Sequence, residues 1–208
     1  MATQRTTDVI LETGCLNGRN VIDLGCGDGF FTIRFWDAAK PKTMLGIDGA
    51  ASAIDVAKKS CGARAIRFEV GNAHQLPLPD DSFDVALVQS VLHHDDDPQG
   101  IIREAFRLAR AVVIHEPNGN NPFLKVIEKA SPYHREHHET SYTTTQMTRW
   151  IERAGGSVIQ KRFAGFVAMF CPDWIARIMK LFEPVIERVP KLNAFGCAVY
   201  VIVARRAL

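Results

Sequence analysis

The stretch from Val21 to Thr32, VIDLGCGDGFFT, constrains the fold more than any other part of the chain. An apolar run typical of a buried strand leads into three alternate glycines, Gly25, Gly27 and Gly29, and then into residues that begin a helix. Such a loop has almost no side-chain bulk, so a ligand can lie against its backbone. We expect the N–H groups at the start of the helix to face that ligand. The stretch therefore predicts a strand–loop–helix binding site.

The spacing of the glycines limits which class of ligand the loop can bind. A dinucleotide-binding loop, Gly-x-Gly-x-x-Gly/Ala, requires a small residue at position 30, where this chain has Phe30. A phosphate-binding P-loop requires Gly-Lys-Ser/Thr, which the stretch does not contain. The motif present is acidic-x-Gly-x-Gly-x-Gly, beginning at Asp23. A glycine-rich turn that serves packing alone is the alternative.

Further polar residues follow at the ends of later apolar runs. Asp48 closes the next run, and its two carboxylate oxygens can accept hydrogen bonds from both hydroxyls of a ribose. Asn72 and Ala73 follow the alternating stretch 65–70. The stretch 83–94, FDVALVQSVLHH, is a further apolar run that ends in two histidines.

In this order the four motifs resemble those of the class I S-adenosylmethionine-dependent methyltransferases, in particular the small-molecule enzymes of the ubiquinone-biosynthesis type (the type 11 group). The resemblance covers residues 18–116 well, and the remainder as a pattern of elements. It implies an α/β fold: a Rossmann-like, doubly wound sheet of seven strands, mostly parallel, with helices on both faces. The last strand is expected to be antiparallel and to lie between the fifth and the sixth.

The resemblance also implies a cofactor, S-adenosylmethionine, with S-adenosylhomocysteine as product, and assigns residues to it. Asn72 stands where Asp is commoner, and its amide oxygen is expected to accept from the adenine amine, while the N–H of Ala73 reaches a ring nitrogen. Cys26 is expected to fill space in the loop without a catalytic role. The expected cofactor-binding residues are Asp23, Gly25, Cys26, Gly27, Gly29, Asp48, Asn72, Ala73 and Gln89.

Candidate catalytic residues lie at the ends of the fourth and fifth apolar runs. His93 and His94 follow the fourth, where the methyl group would be presented, and the resemblance favours His94 facing the active site. The alternative is that one packs inward and the other caps the acidic turn that follows. Glu116 ends the fifth run beside His115 and could act as a base on a substrate hydroxyl or amine, or could simply belong to a strand-terminating turn.

A His-rich segment could be read as a metal site. His134 and His138 are four residues apart, which on a helix places them on one face, and Glu139 could join them. The zinc-protease pattern His-Glu-x-x-His is absent, so we expect no metal. Contact with substrate and a solvated loop are the remaining interpretations.

Composition excludes several classes of protein. A chain of 208 residues with 47% hydrophobic and 23% charged residues fits a single globular domain over residues 1–208. A formal net charge of +2 without a Lys/Arg run argues against a nucleic-acid partner. Five scattered cysteines without Cys-x-x-Cys favour free thiols in the cytoplasm. We expect neither a signal peptide nor a transmembrane segment.

Strands and helices alternate along most of the chain, which indicates a parallel sheet with helices on both faces. The predicted strands are 19–24, 43–48, 65–70, 84–89, 110–115, 157–163 and 196–204. The predicted helices are 29–39, 50–60, 98–108, 144–154 and 173–188, with a short N-terminal helix around 8–14.

Two stretches are long enough to cover a substrate, and we expect lid-like insertions near 116–143 and 164–195. Loops at the carboxyl ends of parallel strands are where such folds hold ligands. The second stretch is rich in Phe, Met and Ile. It could cover an apolar substrate, form a dimer face, contact a membrane surface or pack on the sheet.

The sequence predicts an S-adenosylmethionine-dependent methyltransferase that acts on a small-molecule or lipid-like acceptor. The Asn/Asp-Pro-Pro-Tyr signature of amino-methylating nucleic-acid and glutamine enzymes is absent after the fourth strand, where Gln89 begins QSVL. Oxygen, carbon or small-molecule nitrogen acceptors are therefore expected. The alternative is a protein that binds the cofactor without turnover, as a sensor or a partner subunit. A nicotinamide oxidoreductase is disfavoured by Phe30.

Overall fold

The computed structural model describes residues 2–130, 140–166 and 173–207, which form a sheet of seven strands surrounded by helices. The strands are β1 (Asn20–Leu24), β2 (Thr43–Asp48), β3 (Ile66–Val70), β4 (Phe83–Gln89), β5 (Ala109–Pro117), β6 (Gly156–Ala164) and β7 (Val199–Arg206). The helices are α1 (Ala2–Leu11), α2 (Phe30–Ala39), α3 (Ala51–Cys61), α4 (Pro98–Leu108), α5 (Pro122–Ala130), α6 (Thr144–Arg153), α7 (Asp173–Arg188) and α8 (Leu192–Gly196), with a 3₁₀ turn at Leu92–His94.

The strand order is β3-β2-β1-β4-β5-β7-β6. The first five strands pair in parallel, and β7 pairs antiparallel with both β5 and β6. This arrangement confirms the predicted fold class, including the position of the last strand between the fifth and the sixth. Parallel pairing also brings the carboxyl ends of β1, β2, β4 and β5 to one edge of the sheet, which is where loops can build a site.

The sheet is covered on both faces, which is why its central strands are apolar throughout. One core cluster joins the sheet to α4 and α6, through residues such as Ile101 and Met147. The other joins it to α1, α2 and α3, through residues such as Ile10, Phe35 and Ile54. Successive residues of a strand alternate between the two clusters, so the face of the sheet to which each strand-end side chain points follows from its position.

Local signals in the sequence position the helices beside the sheet. Asp97 caps α4 by accepting from the N–H of Gly100, and Pro98 occupies the first turn, where its missing N–H costs nothing. Thr143 and Gln146 form a capping box at the start of α6. Gly155, at a φ of 79°, follows the last turn of α6, in a conformation that glycine adopts without strain.

Three details differ from the predicted elements. The N-terminal helix spans Ala2–Leu11 rather than 8–14, and its Val9 and Ile10 are buried in the core, so α1 packs on the sheet. A helix, α5, stands within the predicted lid-like stretch 116–143. The last strand begins at Val199 because the preceding residues form the short helix α8. Among the described residues, none of the helices combines the length and apolar character needed to cross a bilayer.

Candidate functional site

The predicted site residues converge on the carboxyl edge of the sheet. The glycine loop follows β1, Asp48 ends β2, and Asn72 follows β3. Gln89 ends β4 and lies beside His115 of β5 in the strand register. The structure thus brings together residues from five separate parts of the chain, as the parallel topology requires.

The three glycines of the loop have positive φ angles of 77°, 55° and 76°, and each has a different reason to be glycine. A Cβ at Gly25 would lie 2.5 Å from a methyl of Val91, and a Cβ at Gly29 would lie 2.9 Å from Ala57 and Phe68. A Cβ at Gly27 would meet nothing within 4 Å. Gly25 and Gly29 therefore serve close packing, whereas Gly27 borders open space where a ligand can approach the backbone.

Most N–H groups of the glycine loop, and that of the first helical residue Phe30, are bonded within the protein. Five have acceptors within the protein: those of Gly25 and Cys26 on the carbonyl of Ile47, Gly27 on Asp48, Gly29 on Cys26, and Phe30 on Asp28. A site that binds a phosphate leaves such groups free for the anion. The loop is therefore shaped for a ligand that lies against it, and not for an anion held by its N–H groups.

Asp48 connects the glycine loop to the start of α3. One carboxylate oxygen, Oδ2, accepts from the N–H of Gly27 at 2.8 Å, and Oδ1 accepts from the N–H of Ala50 at 2.9 Å. The side chain is half-buried, and each oxygen has a further lone pair. Asp48 can therefore hold the loop and still accept from a diol.

Asp23 lies beneath the loop rather than on its surface. Its side chain is buried and Oδ2 accepts from the hydroxyl of Thr32 on α2 at 2.5 Å. Burial raises the pKa of Asp23 to about 7, with Asp48 adding to the rise and the Thr32 hydrogen bond opposing it. The described contact of this carboxylate is therefore with α2, which it fastens to β1.

Gln89 and His115 are buried next to each other without hydrogen-bond partners for several atoms. Within the described part of the chain, neither polar atom of the Gln89 amide has a partner, and neither has Nε2 of His115. Burial lowers the pKa of His115 to about 4, so the ring is neutral at pH 7. Unpaired buried polar groups cost about 1–3 kcal/mol each, so an amide here fits a ligand that supplies both donors and acceptors.

The turn after β3 is exposed and preorganised. The amide oxygen of Asn72 accepts from the N–H of His74 at 3.0 Å, which leaves one lone pair for a ligand. His74 in turn lies 3.0 Å from Asp95, which fixes the turn against the loop after β4. Cys26 is partly buried, and its sulfur lies 3.0 Å from where a Cβ of Gly46 would stand.

Glu116 and His93 form a hydrogen-bonded pair at the same edge of the sheet. Glu116 is completely buried, and its Oε1 accepts from the N–H groups of Val91 and Leu92 at 2.9 and 2.8 Å. Its Oε2 lies 2.6 Å from Nδ1 of His93. His94 is exposed, and its ring lies 4.0 Å from that of His93, centroid to centroid. Glu116 therefore holds the turn after β4 and orients one of its two histidines.

His115 lies on the other side of β5 from Glu116, because neighbouring residues of a strand point to opposite faces. Its Nδ1 is 3.4 Å from the Ser90 hydroxyl. The adjacent residues HEP at the end of β5 thus serve two separate places. His115 lies with the buried amide of Gln89, and Glu116 pairs with His93.

Two tyrosines that the sequence analysis did not select lie near the Glu116–His93 pair. Tyr200 of β7 is the strand partner of Glu116, and its buried hydroxyl has no partner within the described residues. Tyr142 is half-buried, and burial together with Glu116 raises the pKa of both phenols. A single polar residue inside the apolar run of β7 was the available signal for Tyr200.

The end of the predicted insertion 116–143 contacts the Glu116–His93 pair. The N–H of Thr140 donates to the carbonyl of His93 at 3.1 Å, and Tyr142 forms a bridge with Asn118. Lys125 and Glu128 of α5 bond the backbone of Ser141, which ties α5 to the same segment. Part of the stretch 116–143 therefore borders His93.

The candidate metal residues His134, His138 and Glu139 lie outside the described residues. Within the ranges that are described, no three His, Cys, Asp or Glu side chains are grouped to hold a metal ion. In the described segment after β6, Glu187 of α7 accepts from Arg5 of α1 and from the N–H of Gly165. Helix α8 instead contacts the end of β5, where Asn118 donates to the carbonyl of Ala194.

Comparison with known proteins identifies the class of protein to which this site belongs. The profile of a family described as a methyltransferase domain matches residues 16–155, which include the glycine loop, Asp48 and the Glu116–His93 pair. The chain belongs to this methyltransferase family. The match confirms the family to which the glycine motif pointed.

Two curated relatives and one solved structure illustrate the similarity. The chain is 34% identical over 110 residues to 2-methyl-6-phytyl-1,4-hydroquinone methyltransferase of Spinacia oleracea, covering 52% of this chain and 32% of that protein. It is 30% identical over 120 residues to demethylmenaquinone methyltransferase of Lactococcus lactis, covering 54% of this chain and 48% of that protein. The chain thus spans less than half the length of these relatives.

The solved structure is magnesium protoporphyrin IX methyltransferase of Synechocystis with bound S-adenosylhomocysteine. It superposes with a TM-score of 0.68 over 99% of this chain and 84% of that one, at 16% identity. The similarity at this identity concerns the fold.

Proposed function

We propose that the protein is an S-adenosylmethionine-dependent methyltransferase in which His93, oriented by Glu116, removes a proton from a small-molecule acceptor. The observation that carries the proposal is the buried Glu116–His93 hydrogen bond at the sheet edge that also carries the open side of Gly27. Family membership confirms S-adenosylmethionine as the cofactor class. The roles of individual residues are our proposal.

The cofactor would lie along the glycine loop, against the open side of Gly27. Asp48 would accept from the ribose hydroxyls through its remaining lone pairs, and Asn72 and Ala73 would meet the adenine. Gln89, whose amide is buried without partners in the described chain, would bind the amino-acid end. Asp23, Gly25, Cys26 and Gly29 would act indirectly, by holding the loop in this shape. When bound, S-adenosylmethionine supplies an activated methyl group on a sulfonium.

The pair at the end of β5 can move a proton. As a carboxylate Glu116 can only accept, so His93 donates to it through Nδ1, and Nε2 is then the basic atom. Nε2 can take the proton of an acceptor hydroxyl or amine, and Glu116 stabilises the resulting imidazolium. Glu116 itself, which we expected could be the base, is a positioning residue because it is completely buried. His94, which is exposed beside His93, would contact the acceptor.

The acceptor is proposed to be a small molecule with an ionisable O–H or N–H group. The printed names of the spinach and Lactococcus relatives specify a hydroquinone and demethylmenaquinone. Helix α5 and the segment around Tyr142 would form one wall of the acceptor pocket. The described helices of the predicted lid-like stretch 164–195 would contribute another. A net charge of +2 offers no track for nucleic acid.

We also propose that the protein works in the cytoplasm. The cysteines in the described residues (Cys15, Cys26, Cys61 and Cys197) are free thiols, as in a reducing compartment.

The test is a metabolite screen. The protein is incubated with S-adenosylmethionine carrying an isotopically labelled methyl group and with fractionated cell extract, and products are sought by mass spectrometry as a gain of one labelled methyl. We expect a labelled metabolite that forms with wild-type protein and not with His93→Gln. Tight cofactor binding without any labelled product would instead support the non-catalytic sensor.

A further inference from the structure

Large apolar side chains are concentrated on one part of the described surface. Eight of the twelve exposed large hydrophobic residues belong to α5, α7, α8 and the turn between the last two. The most exposed are Leu181 and Phe123, at 77% and 75%. We call the eight the apolar surface: Phe123, Val126, Leu181, Phe182, Val185, Val189, Leu192 and Phe195. Patches of this kind mark contact with another phase or molecule.

In the described parts of α5 and α7, acidic side chains point toward the protein and apolar side chains point toward solvent, the reverse of an ordinary surface helix. Glu183 and Glu187 of α7 point inward, where they accept from the N–H groups of Phe166 and Gly165. Glu128 of α5 likewise points inward, to the N–H of Ser141. Among the described side chains, Phe123 and Val126 of α5 and Leu181, Phe182 and Val185 of α7 point outward at helical spacing. A water-facing helix would show the opposite arrangement.

Where the side chains of these helices and of the turn between α7 and α8 are described, the charged residues that remain on the outside are basic. Lys129, Lys180, Arg188 and Lys191 are all exposed and flank the apolar side chains in the sequence. The three inward carboxylates are 16%, 8% and 10% exposed for Glu128, Glu183 and Glu187, so they contribute little to the outer face. Apolar side chains with basic neighbours are the composition of helices that lie in the interface of an anionic bilayer.

The apolar surface adjoins the edge of the sheet that carries the candidate site. Asn118 and Asn121, between β5 and α5, donate to the carbonyls of Ala194, Gly196 and Cys197 in and after α8. These bonds fasten α5 to α8, so both parts of the surface meet at one junction. Asn118 follows Glu116 by two residues. The junction therefore lies next to Glu116, which orients the proposed proton acceptor His93.

We propose that the apolar surface docks the protein on an anionic lipid bilayer. Pairing of two copies through the same surface is disfavoured, because a twofold interface would bring its lysines and arginine against one another. Anionic headgroups complement those cations, and the acyl region receives the apolar side chains. This inference stands on α5, α7 and α8 and does not depend on the proposed reaction.

The test is co-sedimentation of the full chain with vesicles of phosphatidylcholine alone or of phosphatidylcholine with phosphatidylglycerol. We expect binding to the anionic vesicles that weakens with salt and is much weaker on phosphatidylcholine. Leu181→Glu should reduce the partition coefficient about tenfold or more, because an exposed leucine is replaced by a charge. Neutralising Lys180 or Arg188 to Gln should reduce it about fivefold each.

Val56→Glu is the matched control, since Val56 is a similarly exposed apolar residue on α3, away from the apolar surface. It should leave vesicle binding unchanged. Failure of the wild type to bind anionic vesicles would overturn the proposal. So would equal losses in Leu181→Glu and Val56→Glu, or a dimer in solution that Leu181→Glu converts to a monomer without any binding to vesicles. Circular dichroism and thermal unfolding should be alike for the variants, because each changes a side chain already in solvent.

Discussion

Replacing Glu116 by Gln separates the role of its charge from that of its shape. The amide oxygen of Gln can still accept from the N–H groups of Val91 and Leu92, so the turn after β4 keeps its bonds. The amide nitrogen then faces Nδ1 of His93 at the position where Oε2 lay 2.6 Å away. Because an amide N–H₂ can only donate, Nδ1 must become the acceptor and the ring proton moves to Nε2. The proposed base is then already protonated.

The expected effect on the reaction is large and the effect on the fold is moderate. A positioned general base contributes about 10²–10⁴-fold to a rate, so we expect kcat of Glu116→Gln to fall by at least about 100-fold. A hydrogen bond to a charged group stabilises by about 1.5–3 kcal/mol and a neutral one by about 0.5–1.5 kcal/mol. The free energy of unfolding should therefore fall by about 1–3 kcal/mol. Binding of S-adenosylhomocysteine should change little.

Three measurements check this reasoning: kcat with the acceptor found by the metabolite screen, urea unfolding, and calorimetry with S-adenosylhomocysteine. Glu104→Gln is the matched control, since Glu104 is also a buried carboxylate that accepts from a backbone N–H, that of Leu76 at 2.8 Å. It should lose stability and keep kcat. The double variant of Glu116→Gln with His93→Gln should be no slower than His93→Gln. The reasoning is refuted if Glu116→Gln keeps kcat within about threefold of wild type.

Three further outcomes follow from the same edge of the sheet. Gly27→Val should abolish binding of S-adenosylhomocysteine in calorimetry. Gly14→Val is the control, because it imposes similar backbone strain at a φ of 68° and the space around Gly14 is equally open, and it should bind normally. Equal affinities of the two variants would contradict the assignment of the cofactor to the loop. Asp48→Ala should weaken that binding by about 1.5–3 kcal/mol per lost bond at most, and Asp48→Asn by less; wild-type affinity in both would leave Asp48 a strand-end residue. The pKa of Asp23 is raised to about 7, so the free energy of unfolding should fall by up to about 4 kcal/mol as the pH rises from 3.8 to 7. The pKa of His115 is lowered to about 4, so the free energy of unfolding should fall by about 3 kcal/mol as the pH falls from 6.5 to 4. Urea unfolding should show Asp23→Asn gaining stability over wild type toward pH 7 and His115→Gln gaining toward pH 4, and parallel pH curves would contradict both assignments.

The fold could be predicted from the sequence because its information is local and repeated. Apolar runs ended by polar residues gave each strand, and caps such as Asp97 and Thr143 gave the helix starts. The start of α1 could not be found in this way, because its first residues carry no acidic first turn and its burial depends on α2 and β7. Helix α8 is five residues long, too short for a periodic signal.

The placement of the candidate site residues was predictable where it depends on position along one strand, and not where it depends on the register between strands. The glycine loop and Asp48 belong to the first kind. The bond from Glu116 to His93 and the approach of Tyr200 belong to the second, since β5, the turn after β4 and β7 come from distant parts of the chain. The use of the loop N–H groups by Ile47 likewise depends on how β1 pairs with β2.

The place of β7 in the sheet has a consequence for how the protein is made. β6 joins the sheet through β7, which is synthesised more than thirty residues later and inserts between β5 and β6. During translation the edge of β5 thus stays unpaired until residues 199–206 emerge from the ribosome. Until then β6 has no strand partner either. An unpaired strand edge can pair with other chains, so the nascent protein is exposed to aggregation over this interval. Glu116 and Tyr200, strand partners across that edge, meet at the same late step.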